Sequence, residues 1–263
     1  MVTVLYLIRH GETEGAEKRR YKGSIDVPLS ENGIRQMELL SAYIVKEIKN
    51  NTTFNSSKQK SHPPATLVIP PNPPLEKGGW GDLKEGGKGG LLDAVYCSDL
   101  QRAIKSAELI AKPHSLNPII VPSLRERNFG IWEGMSFDEI REKYPLEFDA
   151  WAGNPLRFSP MAGETTLEMQ ERVINAMDRI IDSHNQKINT LSHPSPSRGE
   201  GKGEGEHVAI VAHGGVNRII LCLILGIPLE NIFRIEQDYG ALNIIEFWEK
   251  YPVVKLINGI VYS

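Results

Sequence analysis

Cysteine is scarce: the 263 residues hold two, Cys97 and Cys222, each in apolar surroundings. Two thiols cannot build the disulfide framework of a small secreted domain, so reduced core thiols and a cytoplasmic setting are expected. Long apolar runs are lacking too. The longest, Ile219 to Leu229, is too short to span a bilayer and reads as a buried helix, so no membrane partner is expected. No charged-then-apolar leader opens the chain. Neither sign of charge dominates: 30 Lys and Arg against 33 Asp and Glu leave −3, which argues against a general nucleic-acid binder. No His, Cys or Asp cluster shows metal-ligand spacing, and neither metal nor cofactor is expected.

Glycine is plentiful but uneven. Eleven of the 24 glycines fall in two stretches, about 50–90 and about 189–206, which also hold Pro70-Pro71-Asn72-Pro73-Pro74 and Ser197-Arg198-Gly199. Such composition buries too little apolar surface to offset its ordering entropy. Both are expected to be flexible surface insertions between a helix and the next strand, interrupting a single domain that spans 1–263.

The remainder alternates. Val2 to Ile8, Asp93 to Cys97, Pro118 to Val121 and His207 to Ala212 read as strands. Ser30 caps a helix with Ile34, Met37, Leu40, Ile44 and Ile48 on one face, stapled by Leu29. Further helices are expected from Ser98 to Ala111, from Ser136 to a stop at Pro145, and from Thr165 to Asp182 with Leu167, Ile174, Met177 and Ile181 inward. Another follows His213 to Leu225. Ala241 to Phe247 and Val253 to Ile257 look like an antiparallel edge. This pattern predicts an α/β fold, a three-layer α/β/α sandwich around a mostly parallel central sheet.

Polar groups collect where these strands end. Arg9-His10-Gly11-Glu12-Thr13 closes the first strand, and His213-Gly214-Gly215 closes the fourth. In open α/β sheets ligands sit outside the carboxyl ends of the strands. A helix starting at Gly214 would aim free N–H groups and its positive dipole end at an anion. Ser98, with Gln101 three residues on, looks like a capping box, which puts Arg102 in a first helical turn. A cation there opposes the macrodipole; it either reaches to solvent or meets a bound dianion. Glu126, between Arg125 and Arg127, is either a surface ion pair or the proton donor for a leaving alcohol. Of Trp132, Phe148, Trp151 and Phe158, most are expected in the core and some at a substrate mouth.

Taken together, these stretches resemble the histidine phosphatase superfamily, also called phosphoglycerate mutase-like. The matching segments are Arg9–Thr13, Arg20–Gly23 with Asp26–Ser30 and Gly33, Ser98–Ala103, Leu124–Gly134, Gly163-Glu164 and His213–Arg218. The resemblance implies that His10 is the phospho-accepting nucleophile, Glu126 the acid, and that Arg9, Arg102 and His213 hold the phosphoryl group. Gly23 and Gly214 fall in the matching stretches and are counted with the substrate-binding residues. Family members often carry Trp-Asn after the first motif; this chain has Glu14-Gly15-Ala16, so that ligand is missing or comes from elsewhere, Thr13 and Arg20 being the candidates. The implied activity is metal-independent hydrolysis of a small phosphomonoester through a phosphohistidine. Asn128-Phe129-Gly130-Ile131-Trp132-Glu133-Gly134 resembles the small phosphatase branch, and with Phe233–Gln237 the α-ribazole phosphatases. The alternatives are a mutase passing phosphate between hydroxyls and a non-catalytic phosphate-binding scaffold.

Overall fold

A run such as Val2–Ile8 has no polar face, so it is stable as a strand only where layers cover both sides. The computed structural model, which describes residues 2–18, 20–55, 91–190, 206–248 and 251–262, puts it at the centre of a sheet. Six strands lie in the order β3–β2–β4–β1–β5–β6: β1 (Val2–Arg9), β2 (Ala94–Cys97), β3 (Ile119–Ile120), β4 (Glu206–Ala212), β5 (Leu242–Trp248) and β6 (Tyr251–Gly259). The pairs β3–β2, β2–β4 and β4–β1 are parallel, and β5 and β6 add the expected antiparallel edge. Tyr6, Leu7 and Ile8 are all inaccessible to solvent.

Alternate residues feed two cores. Tyr6, Ile8, Val95, Cys97 and Val211 face α1 (Glu31–Asn55) and α2 (Gln101–Ala111). Leu5, Leu7, Tyr96, Val208 and Ile210 face α5 (Thr166–Thr190) and α6 (Gly214–Leu225). This is the three-layer arrangement, with period-2 alternation sorting side chains between layers. α1 carries the expected stripe, with Met37, Leu40, Ile44 and Ile48 buried and Ile34 partly so, and the Ser30 hydroxyl accepts from Gly33 N–H at 3.1 Å.

Four expectations change in detail. The buried face of α5 is Met169, Val173, Ala176, Met177 and Ile180, so of the residues expected inward only Met177 is fully buried. Ala176 at the middle of the stripe lets the helix sit close to the sheet, and small residues are easily passed over when bulky ones are counted. Pro145 does end α3 (Phe137–Lys143), but it also starts α4 (Pro145–Gly153). Proline has no N–H to leave unpaired, which suits the first position of a helix. β3 is shorter than expected. α1 extends to Asn55 and α5 to Thr190, a few residues into the stretches expected as insertions; 56–90 and 191–205, and with them those two calls, lie outside the described residues. Among the described residues no helix is long and apolar enough to cross a membrane.

Candidate active site

The two histidines meet because their strands are neighbours in register. Arg9 of β1 pairs with Ala212 of β4, and His10 N–H donates to the Ala212 carbonyl at 3.0 Å. His10 and His213 therefore leave the sheet side by side, ring centroids 5.0 Å apart and planes at 64°. His10 Nδ1 lies 2.8 Å from the Gly11 carbonyl. A carbonyl only accepts, so Nδ1 carries the proton and Nε2 keeps its lone pair. Burial, then Arg9 and Arg102, push the His10 pKa well below 6.5, so the ring is neutral.

His213 is fully buried behind it. Its Nε2 lies 2.7 Å from the Ser98 hydroxyl, while its Nδ1 is buried without a partner. Burial, His10, Arg102 and Arg9 hold it well below 6.5 as well, so in the unliganded protein it is a neutral hydrogen-bonding group, not the third cation that protonation would make it. Ser98 is thus not the expected helix cap. α2 begins at Gln101 with Leu100 at the N-cap, and the Gln101 N–H donates to Asp26 Oδ1 at 2.8 Å. Asp26 meets one of the free N–H groups of α2, and the serine turns to a buried imidazole that otherwise has no partner.

Arg102 does lie in the first turn of α2, and it is buried. It does not reach solvent: its guanidinium donates to the Ile25 and Gly23 carbonyls, each at 2.7 Å. Gly23 adopts φ +46°, and a Cβ there would meet the Arg127 carbonyl at 2.8 Å, so glycine is required for the loop to present that oxygen. Arg9 donates to the Gln237 carbonyl and lies 3.9 Å over the Tyr239 ring, while its Nε is buried and unpartnered. No ion pair to Arg9 or Arg102 occurs among the described residues. A half-buried and a buried guanidinium, side by side and without carboxylate partners, are suited to hold an anion.

Glu126 faces them. Its Oε2 accepts from Gly215 N–H at 3.0 Å and its Oε1 from its neighbour's, Arg127 N–H, at 2.9 Å. A Cβ at Gly215 would come within 2.4 Å of that carboxylate, so the second glycine after His213 makes room for it. Gly214 opens α6, its backbone next to Arg9. Thr13 is buried and its hydroxyl accepts from Lys22 Nζ. Arg20 reaches the rim, but its guanidinium forks onto Glu139 and donates to the Gly134 carbonyl, which ties the loop to α3.

One cavity of about 250 Å³ has Arg9, His10, Arg102 and Glu126 on its polar side, while His213 and Ser98 lie behind its wall. The other side is aromatic: Tyr21, Phe129, Trp132, Trp151 and Phe233. Trp132 and Trp151 are thus the mouth residues, whereas Phe158 stacks behind Trp132 and Phe148 packs beside Trp151. Sequence reasoning missed Lys22, Gly215 and Tyr239. Lys22 sat unremarked inside a quoted motif, Gly215 was read only as one of the glycine pair that opens a helix, and Tyr239 lies in a loop with no periodic signal.

The model of the histidine phosphatase superfamily (branch 1) matches residues 5–85 and 83–259. Phosphoserine phosphatase 1 of Hydrogenobacter thermophilus is 25% identical over 97% of this chain and 91% of its own length. The adenosylcobalamin/α-ribazole phosphatase of Escherichia coli is 23% identical over 97% of this chain and 95% of its own. The crystal structure of the α-ribazole phosphatase from Shigella flexneri shares the fold, with a TM-score of 0.69 at 21% identity, covering 99% of this chain and 98% of that one. Relatives named as phosphatases, a matching fold and a family model spanning most of the sequence agree with the strand-end geometry: this chain belongs to the histidine phosphatase superfamily and is a hydrolytic enzyme.

Proposed function

We propose that this enzyme hydrolyses small phosphomonoesters through a phosphohistidine on His10. The observation that carries the reading is the His10 ring: neutral, with Nδ1 committed to Gly11 and Nε2 free beside two unpaired guanidiniums. Nε2 attacks phosphorus, the N–P bond forms and the P–O bond to the alcohol breaks. Charge spreads over three equatorial oxygens in that transition state, and Arg9 and Arg102 are there to meet it. The buried Nδ1 of His213, lacking a partner, supplies a further hydrogen bond. Glu126, protonated, gives its proton to the departing oxygen; as carboxylate it then takes one from the water that attacks the phosphohistidine. Phosphate leaves and His10 returns to its starting form. Gly23 and Gly214 serve by shaping the backbone around Arg102 and Arg9, and Thr13 by offering its hydroxyl.

The aromatic side of the cavity favours a substrate whose alcohol is flat and apolar. Among the relatives' named substrates, α-ribazole phosphate fits that description better than phosphoserine. A panel containing α-ribazole phosphate, phosphoserine, 3-phosphoglycerate with its bisphosphate primer, and a chromogenic aryl phosphate tests both levels. His10→Ala is expected to abolish turnover and the acid-labile enzyme label; undiminished turnover removes His10 as nucleophile. Preference for phosphoserine over both α-ribazole phosphate and the aryl phosphate overturns the substrate class.

A further inference from the structure

Among the described residues Lys22 is the one amine on the cavity wall. Its Nζ donates to Thr13 Oγ1 and to the Glu14 carbonyl, each at 2.5 Å. An ammonium has three N–H donors, so one is left over. Among the described residues no carboxylate forms an ion pair with it. Its two acceptors also fix its direction: Thr13 is buried and lines the same cavity, held in place by a bridge to Leu29. The threonine oxygen accepts from lysine, which leaves its own hydrogen to donate onward. Lysine and threonine together thus present two donors in a cavity already walled by Arg9 and Arg102.

We propose that Lys22, with Thr13 as its relay, is a third cationic ligand of the phosphoryl group. The proposal rests on the phosphatase reading of this cavity and adds to it a ligand outside the strand ends. Three like charges around one cavity repel one another, and a dianion relieves all three. The electrostatics of the unliganded site agree. Burial first, then Arg102 and Arg9, lower the Lys22 pKa from 10.5, while Glu17 and Glu12 hold it up. Lys22 in turn is among the charges that lower His10. The bland role, a tether joining 13–14 to 22, predicts lost stability on removal and no change in affinity for phosphate.

Calorimetric binding of orthophosphate separates the two. Lys22→Met is expected to weaken phosphate binding by about 10- to 100-fold, the range for a charge-assisted hydrogen bond, with Lys22→Arg recovering most of it. In the wild type, affinity should fall as pH rises toward the alkaline range because the lysine charge is lost. Lys22→Arg should remove that fall, since guanidinium stays charged. Phosphate affinity unchanged in a well-folded Lys22→Met protein overturns the proposal, as does an alkaline fall that persists in Lys22→Arg. If Lys22→Met does not fold, the pH comparison between wild type and Lys22→Arg decides alone. Turnover of an aryl phosphate by wild type, measured in parallel, keeps the readings apart. Turnover with phosphate affinity indifferent to Lys22 sinks only this proposal. Phosphate binding through Lys22 without turnover sinks only the hydrolase.

Discussion

Glu126 illustrates how much a single side chain's surroundings decide. Its carboxylate is clamped between two backbone N–H groups, from Gly215 and Arg127, and faces an anion site. Its proposed duty is to deliver a proton to the leaving oxygen, so its removal should matter most where that oxygen is most basic. Glu126→Gln is expected to slow alkyl phosphates by about 10²- to 10⁴-fold and aryl phosphates much less, read as a steeper dependence of kcat on leaving-group pKa. Equal slowing across the series would rule out the acid role. Ser98 is the second residue-scale case. Its hydroxyl is the one partner of His213 Nε2 among the described residues, at 2.7 Å, and so fixes the orientation of that buried ring. Ser98→Ala leaves that nitrogen buried and unpaired; kcat is expected to drop about tenfold and stability by about 1–3 kcal/mol, with Ser98→Thr, which keeps the hydroxyl, recovering kcat. A variant with wild-type kcat would show that the serine only fills space. His10 and His213 were legible in the sequence because each ends an apolar strand and precedes glycine. Ser98 was misread because a capping box is a pattern four residues long, while its true partner is 115 positions away.

At the scale of elements, the loop after β1 and the start of α1 touch backbone to backbone. A Cβ on Gly33 would fall 2.0 Å from the Glu12 carbonyl oxygen, and one on Gly11 would fall 2.4 Å from the Gly33 carbonyl. Both obstacles are main chain and cannot rotate away. Gly33→Ala should therefore lower stability by about 1–3 kcal/mol, the range for overpacking, and weaken phosphate binding by displacing the loop that carries Thr13. Denaturant titration with phosphate calorimetry checks it; a variant as stable as the parent would mean the loop yields freely. The sequence revealed the strands, α1 and α6 because bulky apolar residues recur there at the right period. It concealed α4, because proline was read only as a stop, and it showed only part of the α5 face: Leu167, Met177 and Ile181 do pack on the core, but Val173, Ala176 and Ile180 were passed over. The same limit hid Lys22: nothing along the chain says that it faces Thr13, which a bridge between distant loops decides.

At the scale of the whole molecule, burial lowers the pKa of histidines at two separate places among the described residues. His10 lines the cavity with His213 packed behind it, and His114, just after α2, accepts a hydrogen bond from Leu92 N–H at 3.0 Å. Burial lowers the His114 pKa from 6.5 to about 4. The unfolded chain binds that proton more readily, so stability is full above pH 6.5, falls as the pH drops, and this contribution is gone below about 4. His114 alone accounts for about 3 kcal/mol of that fall, and His10 and His213 act in the same direction. Urea midpoints between neutrality and pH about 4 should decline, and more shallowly for His114→Gln; parallel slopes would remove His114 as a contributor. The strands and helices that hold the reacting groups are distinct from the segment that furnishes most of the hydrophobic wall, Phe129 to Trp151 with Phe158 behind it. Reactivity and taste thus reside on separable lengths of polypeptide. Grafting a different 129–158 onto these strand tips would redirect the catalyst to new esters, provided the graft keeps Glu133, Gly134 and Glu139, which hold Ser24 and Arg20 of the loop bearing Lys22.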